Sequence, residues 1–278
     1  MRLFDKQGKM TNRWWVFGVV PVLLGVVAVL VVACFTSSSA TLPHTARNVV
    51  KNYYDTLGWG LELARPFEDP VTDMMVDLCD VHPGHRVSEL GHGTGFVAER
   101  LLRNKQIAGK SGGGYNGVDI SPTMHDIVTK RLADYIRNGT AKLSLLPADA
   151  QSFKKEILSI VGGSSVDRFI SSYVIDLLSD EDIQEYLDGA VAVLKPGGKC
   201  CLTSITHPRA EDASIAQRLF MGMWELVYKY TPFAGGCRPV NLHEILSADR
   251  YNEVFTVEHH HIVAVYGLVS EVIVATRK

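Results

Sequence analysis

The spacing of apolar residues changes sharply along this chain. Residues 14–35, WWVFGVVPVLLGVVAVLVVACF, have no polar face at all: 22 residues pass without a charge. Wound as a helix they would span roughly 33 Å, enough for the hydrocarbon core of a bilayer. Trp14 and Trp15 stand at one end, where indoles favour the interface. Pro21, Gly18 and Gly25 are tolerated in such a helix. The pattern predicts a transmembrane helix. A secretory leader is the rival reading, with Ser38-Ser39-Ala40 as a cleavage site, although the apolar run exceeds the usual leader core. No later segment approaches this length and apolarity.

Residues 36–43 are a polar linker. Residues 47–63 read as a helix that gathers Tyr53, Tyr54, Leu57 and Trp59. From Pro70 the period alternates between helix and strand. Helical spacing of Val71, Met74, Met75 and Leu78 marks 71–80. Strands are predicted at 86–90, 115–119, 141–146, 166–171 and 199–206. Helices fall between them at 96–105, 122–138, 151–160 and 180–194. Ser121 is placed to cap the second of these and Pro122 to open it. Such alternation predicts a Rossmann-like α/β fold, a seven-stranded, mostly parallel sheet with helices on both faces. Residues 258–265 and 270–276 close it, the last strand antiparallel. The chain then divides into a basic tail (1–13), a membrane helix (14–35), a linker with a lid-like helix (36–65) and the domain (66–278).

The 278 residues carry a formal net charge of −2, and the basic residues form no aromatic-interleaved cluster, which argues against a nucleic-acid surface. Cys34, Cys79, Cys200, Cys201 and Cys237 show neither zinc spacing nor a disulfide framework, so they are expected to be buried reduced thiols. His259-His260-His261 on a strand puts the outer two on one face and His260 on the other. No further ligand clusters with them, and no metal is expected. Arg2, Lys6, Lys9 and Arg13 precede the apolar run, opposed only by Asp5, and outweigh Arg47 and Lys51 after it. That bias favours a cytoplasmic N-terminus with the domain across the membrane. Scarcity of acids in 1–50 also fits a mitochondrial transit segment. Asn138-Gly139-Thr140 is the glycosylation sequon whose occupancy would report a lumenal domain.

The chemistry centres on Glu89-Leu90-Gly91-His92-Gly93-Thr94-Gly95, between a strand and a helix. Glycine lets the turn adopt unusual dihedrals and lets a ligand approach the backbone; the helix start offers free N–H groups. A dinucleotide fingerprint would need glycine at position 96, where Phe96 stands. An acid at the strand end suits an aminoacyl ligand with positive charge better than a pyrophosphate. The segment resembles the first motif of the class I S-adenosylmethionine-dependent methyltransferases. Asp119 after strand two, Asp149 after strand three, residues 166–173 and Leu194-Lys195-Pro196-Gly197-Gly198 follow in that family's order.

The resemblance, strongest over about 66–206, implies S-adenosylmethionine as cofactor. It implies binding by Glu89, Gly91, His92, Gly93, Gly95, Asp119, Ile120, Met124, Asp149, Ala150 and Ser172. Asp119 would accept from the ribose hydroxyls, Ile120 and Met124 would flank the adenine, and Asp149 with the Ala150 N–H would meet its edge. Tyr53-Tyr54-Asp55 would lie over the cofactor as a lid. Methyl displacement needs mainly alignment, so no catalytic residue is assigned; Tyr173, Asp176, His207 and His243 are within topological reach. The apolar helix at 211–230 offers surface for a greasy acceptor. The expected function is a membrane-anchored methyltransferase of a small molecule or lipid, in the endomembranes or mitochondrial inner membrane. A cytosolic cofactor favours the cytosolic side, against the charge bias. The alternatives are a protein methyltransferase, a membrane adaptor that keeps the fold, and, by cofactor, a nicotinamide oxidoreductase.

Overall fold

The structure, a computed structural model, describes residues 46–104, 107, 112–209, 211, 213–230 and 237–278. The predicted membrane helix, the basic tail, Cys34 and the linker through residue 45 lie outside the described residues. Among the described residues no helix is long and apolar enough to cross a membrane.

Helix α1 (Arg47–Leu57) runs into a 3-10 turn (Gly58–Ala64) and then α2 (Arg65–Leu78). The sheet follows: β1 (Arg86–Leu90), α3 (Phe96–Glu99), β2 (Gly114–Asp119), α4 (Pro122–Arg131), α5 (Ala133–Arg137), β3 (Ala141–Leu145), α6 (Phe153–Val161) and β4 (Val166–Ser172). Then come α7 (Asp180–Val193), β5 (Leu194–Ile205), α8 (Ile215–Tyr230), α9 (Leu242–Ser247), α10 (Asp249–Asn252), β6 (Phe255–Val265) and β7 (Leu268–Arg277). Seven strands form one sheet in the order β3-β2-β1-β4-β5-β7-β6. The first five are parallel, and β7 lies antiparallel to both β5 and β6. The predicted parallel sheet is present, with an antiparallel hairpin at one edge.

Local chemistry explains the helix starts. Ser121, Ser152, Ser179 and Asn241 each accept an N–H from the residue three places on, satisfying a donor that the helix leaves open. The predicted 122–138 helix breaks in two at Leu132, whose dihedrals leave the helical region. The predicted 96–105 helix is α only through Glu99 and continues as a π turn, Arg100–Asn104. Helices cover both faces. Phe153, Ile157, Leu187 and Ala190 pack on one side with Phe169 and Leu202. Val71, Met75, Ala98, Leu101 and Val128 pack on the other with Ile170.

Cysteine chemistry corrects the expectation of reduced thiols. Cys79, at the C-terminus of α2, is disulfide-bonded to Cys201 on β5, 122 residues away in sequence and 5.9 Å between Cα atoms. The pairing arises because α2 packs across the sheet face to which Cys201 points, a relation that chain spacing does not encode. Cys200 faces the opposite core and is free, as is Cys237.

Candidate cofactor and acceptor site

The strand order reverses between β1 and β4, and an open parallel sheet receives ligands in the crevice at such a reversal, beyond the strands' carboxyl ends. A cavity lies there. The glycine turn forms its floor. Gly91 has φ +76° and its N–H donates to the Val118 carbonyl at 2.7 Å; a Cβ there would stand 2.2 Å from a Val174 methyl. Gly95 begins α3 at φ +89°, where a Cβ would meet Val128 at 2.5 Å. Both positions therefore exclude side chains for packing and dihedral reasons together.

Carboxylates are organised around that turn. Asp119, ending β2, accepts the Gly93 N–H and the Ser121 N–H, each at 2.9 Å and on different oxygens. One lone pair on each oxygen is left to face the cavity. Glu89 is buried and accepts the Tyr115 hydroxyl at 2.6 Å. Burial, reinforced by Asp119, pushes its pKa up to about 8 against the Tyr115 hydrogen bond. His92 is buried beside Asp119 at 3.7 Å, and burial lowers its pKa. The contact is thus a neutral imidazole beside a carboxylate, with Nδ1 against the Gly93 carbonyl at 3.0 Å and Nε2 unpartnered.

The structure brings Glu89, Gly91, His92, Gly93, Asp119, Ile120, Met124 and Ser172 together as cavity lining, with Gly95 shaping the turn beneath. Asp149 and Ala150 do not join them. Asp149 is exposed in the turn after β3, and the Ala150 carbonyl accepts from the Arg47 guanidinium. Arg47 itself lines the cavity; it also pairs with Asp182 and lies 3.9 Å over the Phe153 ring. That wall is built by Arg47, Leu146 and Phe153.

The lid segment forms the roof. Asp55 Oδ1 accepts the Ser121 hydroxyl at 2.6 Å and the Thr123 N–H at 3.3 Å, while Lys51 pairs with its other oxygen. Phe96, at the position of the missing third glycine, lies beneath Arg65 and Arg131, 3.3 and 4.5 Å from their guanidinium carbons. Both arginines also pair with Glu62. Tyr54, Leu61, Arg65 and Glu68 all reach the cavity.

The far end of the cavity holds groups that sequence reading weighed or missed. Tyr173 has φ +54°, uncommon for a side-chain-bearing residue, and donates to Ser270 at 2.9 Å. Asp176 is fully buried, with Oδ1 unpartnered. Burial raises Asp176 to about 7 and Glu68 to about 8. Cys237 completes this end, 4.0 Å from the Tyr54 hydroxyl. His207 and His243 are not in the lining; the first faces Glu225 and the second stacks on His260 at 4.5 Å. His259 and His261 share one face as predicted, 6.3 Å apart, and His260 turns toward Glu271. Among the described residues no three side chains are placed to hold a metal. Glu68 was missed because an acid in the first turn of a helix reads as a solvated terminus; only the fold turns it inward.

Residues 88–200 match the family model described as a methyltransferase domain. Over those residues the chain is similar to methyltransferase domains, and its seven-stranded sheet agrees with the class I fold. A demethylmenaquinone methyltransferase of Tropheryma whipplei is 29% identical over 134 residues, 48% of this chain and 46% of that protein. The chain thus matches about half the length of the curated relatives. The solved 1,6-didemethyltoxoflavin-N1-methyltransferase of Burkholderia thailandensis superimposes with a TM-score of 0.55 at 14% identity, covering 87% of this chain and 93% of that one. Magnesium protoporphyrin IX methyltransferase from Synechocystis does so at 0.54 and 13%, covering 87% and 100%. The methyltransferase domain's cofactor, S-adenosylmethionine, suits the donor set. Two acidic side chains and a glycine-rich turn favour a cationic aminoacyl nucleoside, and the cavity continues past it for an acceptor.

Proposed function

We propose that the chain transfers the methyl group of S-adenosylmethionine to a small, largely apolar acceptor. The observation that carries the reading is the cavity itself, with a glycine floor, Glu89 and Asp119 at one end and Tyr54, Glu68, Tyr173, Asp176, Ile205 and Cys237 at the other. Glu89 and Asp119 favour the cofactor's positive and hydroxyl-rich portions, and residues of α1 and α2 cover the cavity. The acceptor's electron pair would attack the methyl carbon while the C–S bond breaks toward sulfur, so alignment supplies most of the acceleration. Asp176, poised near neutrality by burial, is suited to take a proton from an acceptor that must lose one.

The apolar stretch at 14–35 supports membrane anchoring, and a membrane-soluble acceptor such as a quinone precursor agrees with both it and the relatives' name. Calorimetric titration with S-adenosylmethionine, its demethylated product and NADH tests the cofactor. Binding of the first two and not the third is expected; the reverse would overturn the reading. Incubation of membrane extracts with methyl-labelled cofactor then tests the acceptor class, with label expected in the organic phase rather than in protein.

A further inference from the structure

Three features outside the cavity concern the compartment of the domain. The first is the Cys79–Cys201 disulfide, closed within the core with neither cysteine exposed. Disulfides persist in oxidising compartments and are rare where glutathione keeps thiols reduced. The second is the sequon Asn138-Gly139-Thr140. It forms an exposed turn between α5 and β3, and nothing lies within 4 Å of a Cβ built on Gly139. The Asn138 Oδ1 accepts the Thr140 hydroxyl at 2.6 Å and the Thr140 N–H at 3.1 Å. Both bonds use the amide's oxygen; its nitrogen is the atom a glycan takes. The third is the basic excess before the apolar run, a bias that favours placement of the following chain across the membrane. A cleaved leader would deliver the domain to the same side.

We infer that the domain resides in the lumen of the secretory pathway and carries an N-linked glycan on Asn138. The glycan would come from a polyprenyl diphosphate-linked oligosaccharide. The Asn138 nitrogen bonds to the sugar's anomeric carbon, the carbon–oxygen bond to diphosphate breaks toward oxygen, and the amide proton passes to the transferase's base. The disulfide forms by exchange with a resident oxidoreductase disulfide, which takes up the two electrons. The geometry accommodates both. Asn138 precedes β3 at its amino end, on the edge of the sheet, whereas the cavity opens at the carboxyl ends of β1 and β4. A glycan there leaves the cavity clear. Reading the domain as lumenal also requires its cofactor to be carried across the membrane. The inference stands apart from methyl transfer, because its test never reads activity.

The full chain is expressed in cultured eukaryotic cells in four forms: unmodified, Asn138→Gln, Thr140→Ala, and extended after Lys278 by an Asn-Ala-Thr tail. Expected are one step of increased mobility on treatment with peptide N-glycosidase, absent from both substituted forms, and a second step from the tail. Under denaturing conditions the Cys79 and Cys201 peptides should resist maleimide until a reductant is added. If neither sequon is modified, the lumenal placement fails. If the tail is modified and Asn138 is bare, the assigned site fails. Labelling of Cys79 and Cys201 without reductant removes the oxidised pair and the compartment argument with it.

Discussion

At Gly91 a single hydrogen separates a working floor from a collision. Substitution to alanine would place a methyl 2.2 Å from Val174 at φ +76°. A strained dihedral alone costs about 1–3 kcal/mol, and relief requires the β4 end to move away from β1. Gly91→Ala is therefore expected to lower the unfolding free energy by that amount and to weaken S-adenosylmethionine at least tenfold, read by denaturant melts and calorimetry. An unchanged affinity would show that the turn does not approach the ligand. Glu89 supplies a second test. Burial raises it from the ordinary 4.5 to about 8. Between those values the unfolded chain has released a proton that the native chain keeps. The stabilisation is whole below 4.5 and is lost as pH rises through the folded value. Glu68 and Asp176 act in the same direction. A cationic ligand favours the ionised acids, so binding at pH 7 should release protons. Titrations in phosphate and Tris would then give different heats, and equal heats would contradict the charge argument. Glu89→Gln should shrink the difference.

The lid illustrates how one element is held. α1 is fixed to the start of α4 through Asp55, which takes two hydrogen bonds from that helix and one ion pair from Lys51. Asp55→Ala removes these bonds, and hydrogen bonds to a charged group are worth about 1.5–3 kcal/mol each. Partial compensation by water is expected, leaving a loss of about tenfold in cofactor affinity and faster backbone amide exchange in α1. Unaltered exchange would mean that the segment is held elsewhere. Sequence reading identified Tyr53-Tyr54-Asp55 as a lid by resemblance, and the structure puts Tyr54 in the cavity. It also shows Arg47 on the cavity wall, which Asp149 and Ala150 do not reach. That contact was illegible in the sequence because Arg47 precedes its partners Asp182 and Ala150 by more than a hundred residues. Asp149 follows a strand in the expected order, but side-chain direction in a turn is set by what packs around it.

For the whole molecule the disulfide is the long-range constraint. It joins α2, which brings Glu68 and Thr72 to the cavity, to β5, an interior strand between β4 and β7. Closing so long a loop restricts the unfolded chain, and losing a native bridge of this kind typically costs about 2–5 kcal/mol. The double variant Cys79→Ser, Cys201→Ser should melt several degrees lower, and reductant should lower the melting of the unmodified chain but not of the variant. Equal melting with and without reductant would show that the bridge contributes nothing. The loss should also weaken cofactor binding, since the roof rests on the helix that the bridge ties down.

Local chemistry determined much of this protein before any contact was known. Ser121 as a cap, the period of Val71, Met75 and Leu78, the strand ending at Leu90 and the glycine turn all act within a few residues, so their consequences are written in order along the chain. The strand–helix alternation carried the sheet for the same reason. What the tertiary structure decided involves residues far apart. The Cys79–Cys201 bond, Arg47 on the cavity wall, Phe96 beneath two arginines and the inward turn of Glu68 each depend on which faces meet when helices pack on the sheet. Burial then changes the protonation of Glu68, Glu89 and Asp176, because charge is costly away from water and no sequence pattern states how far from water a side chain will finish.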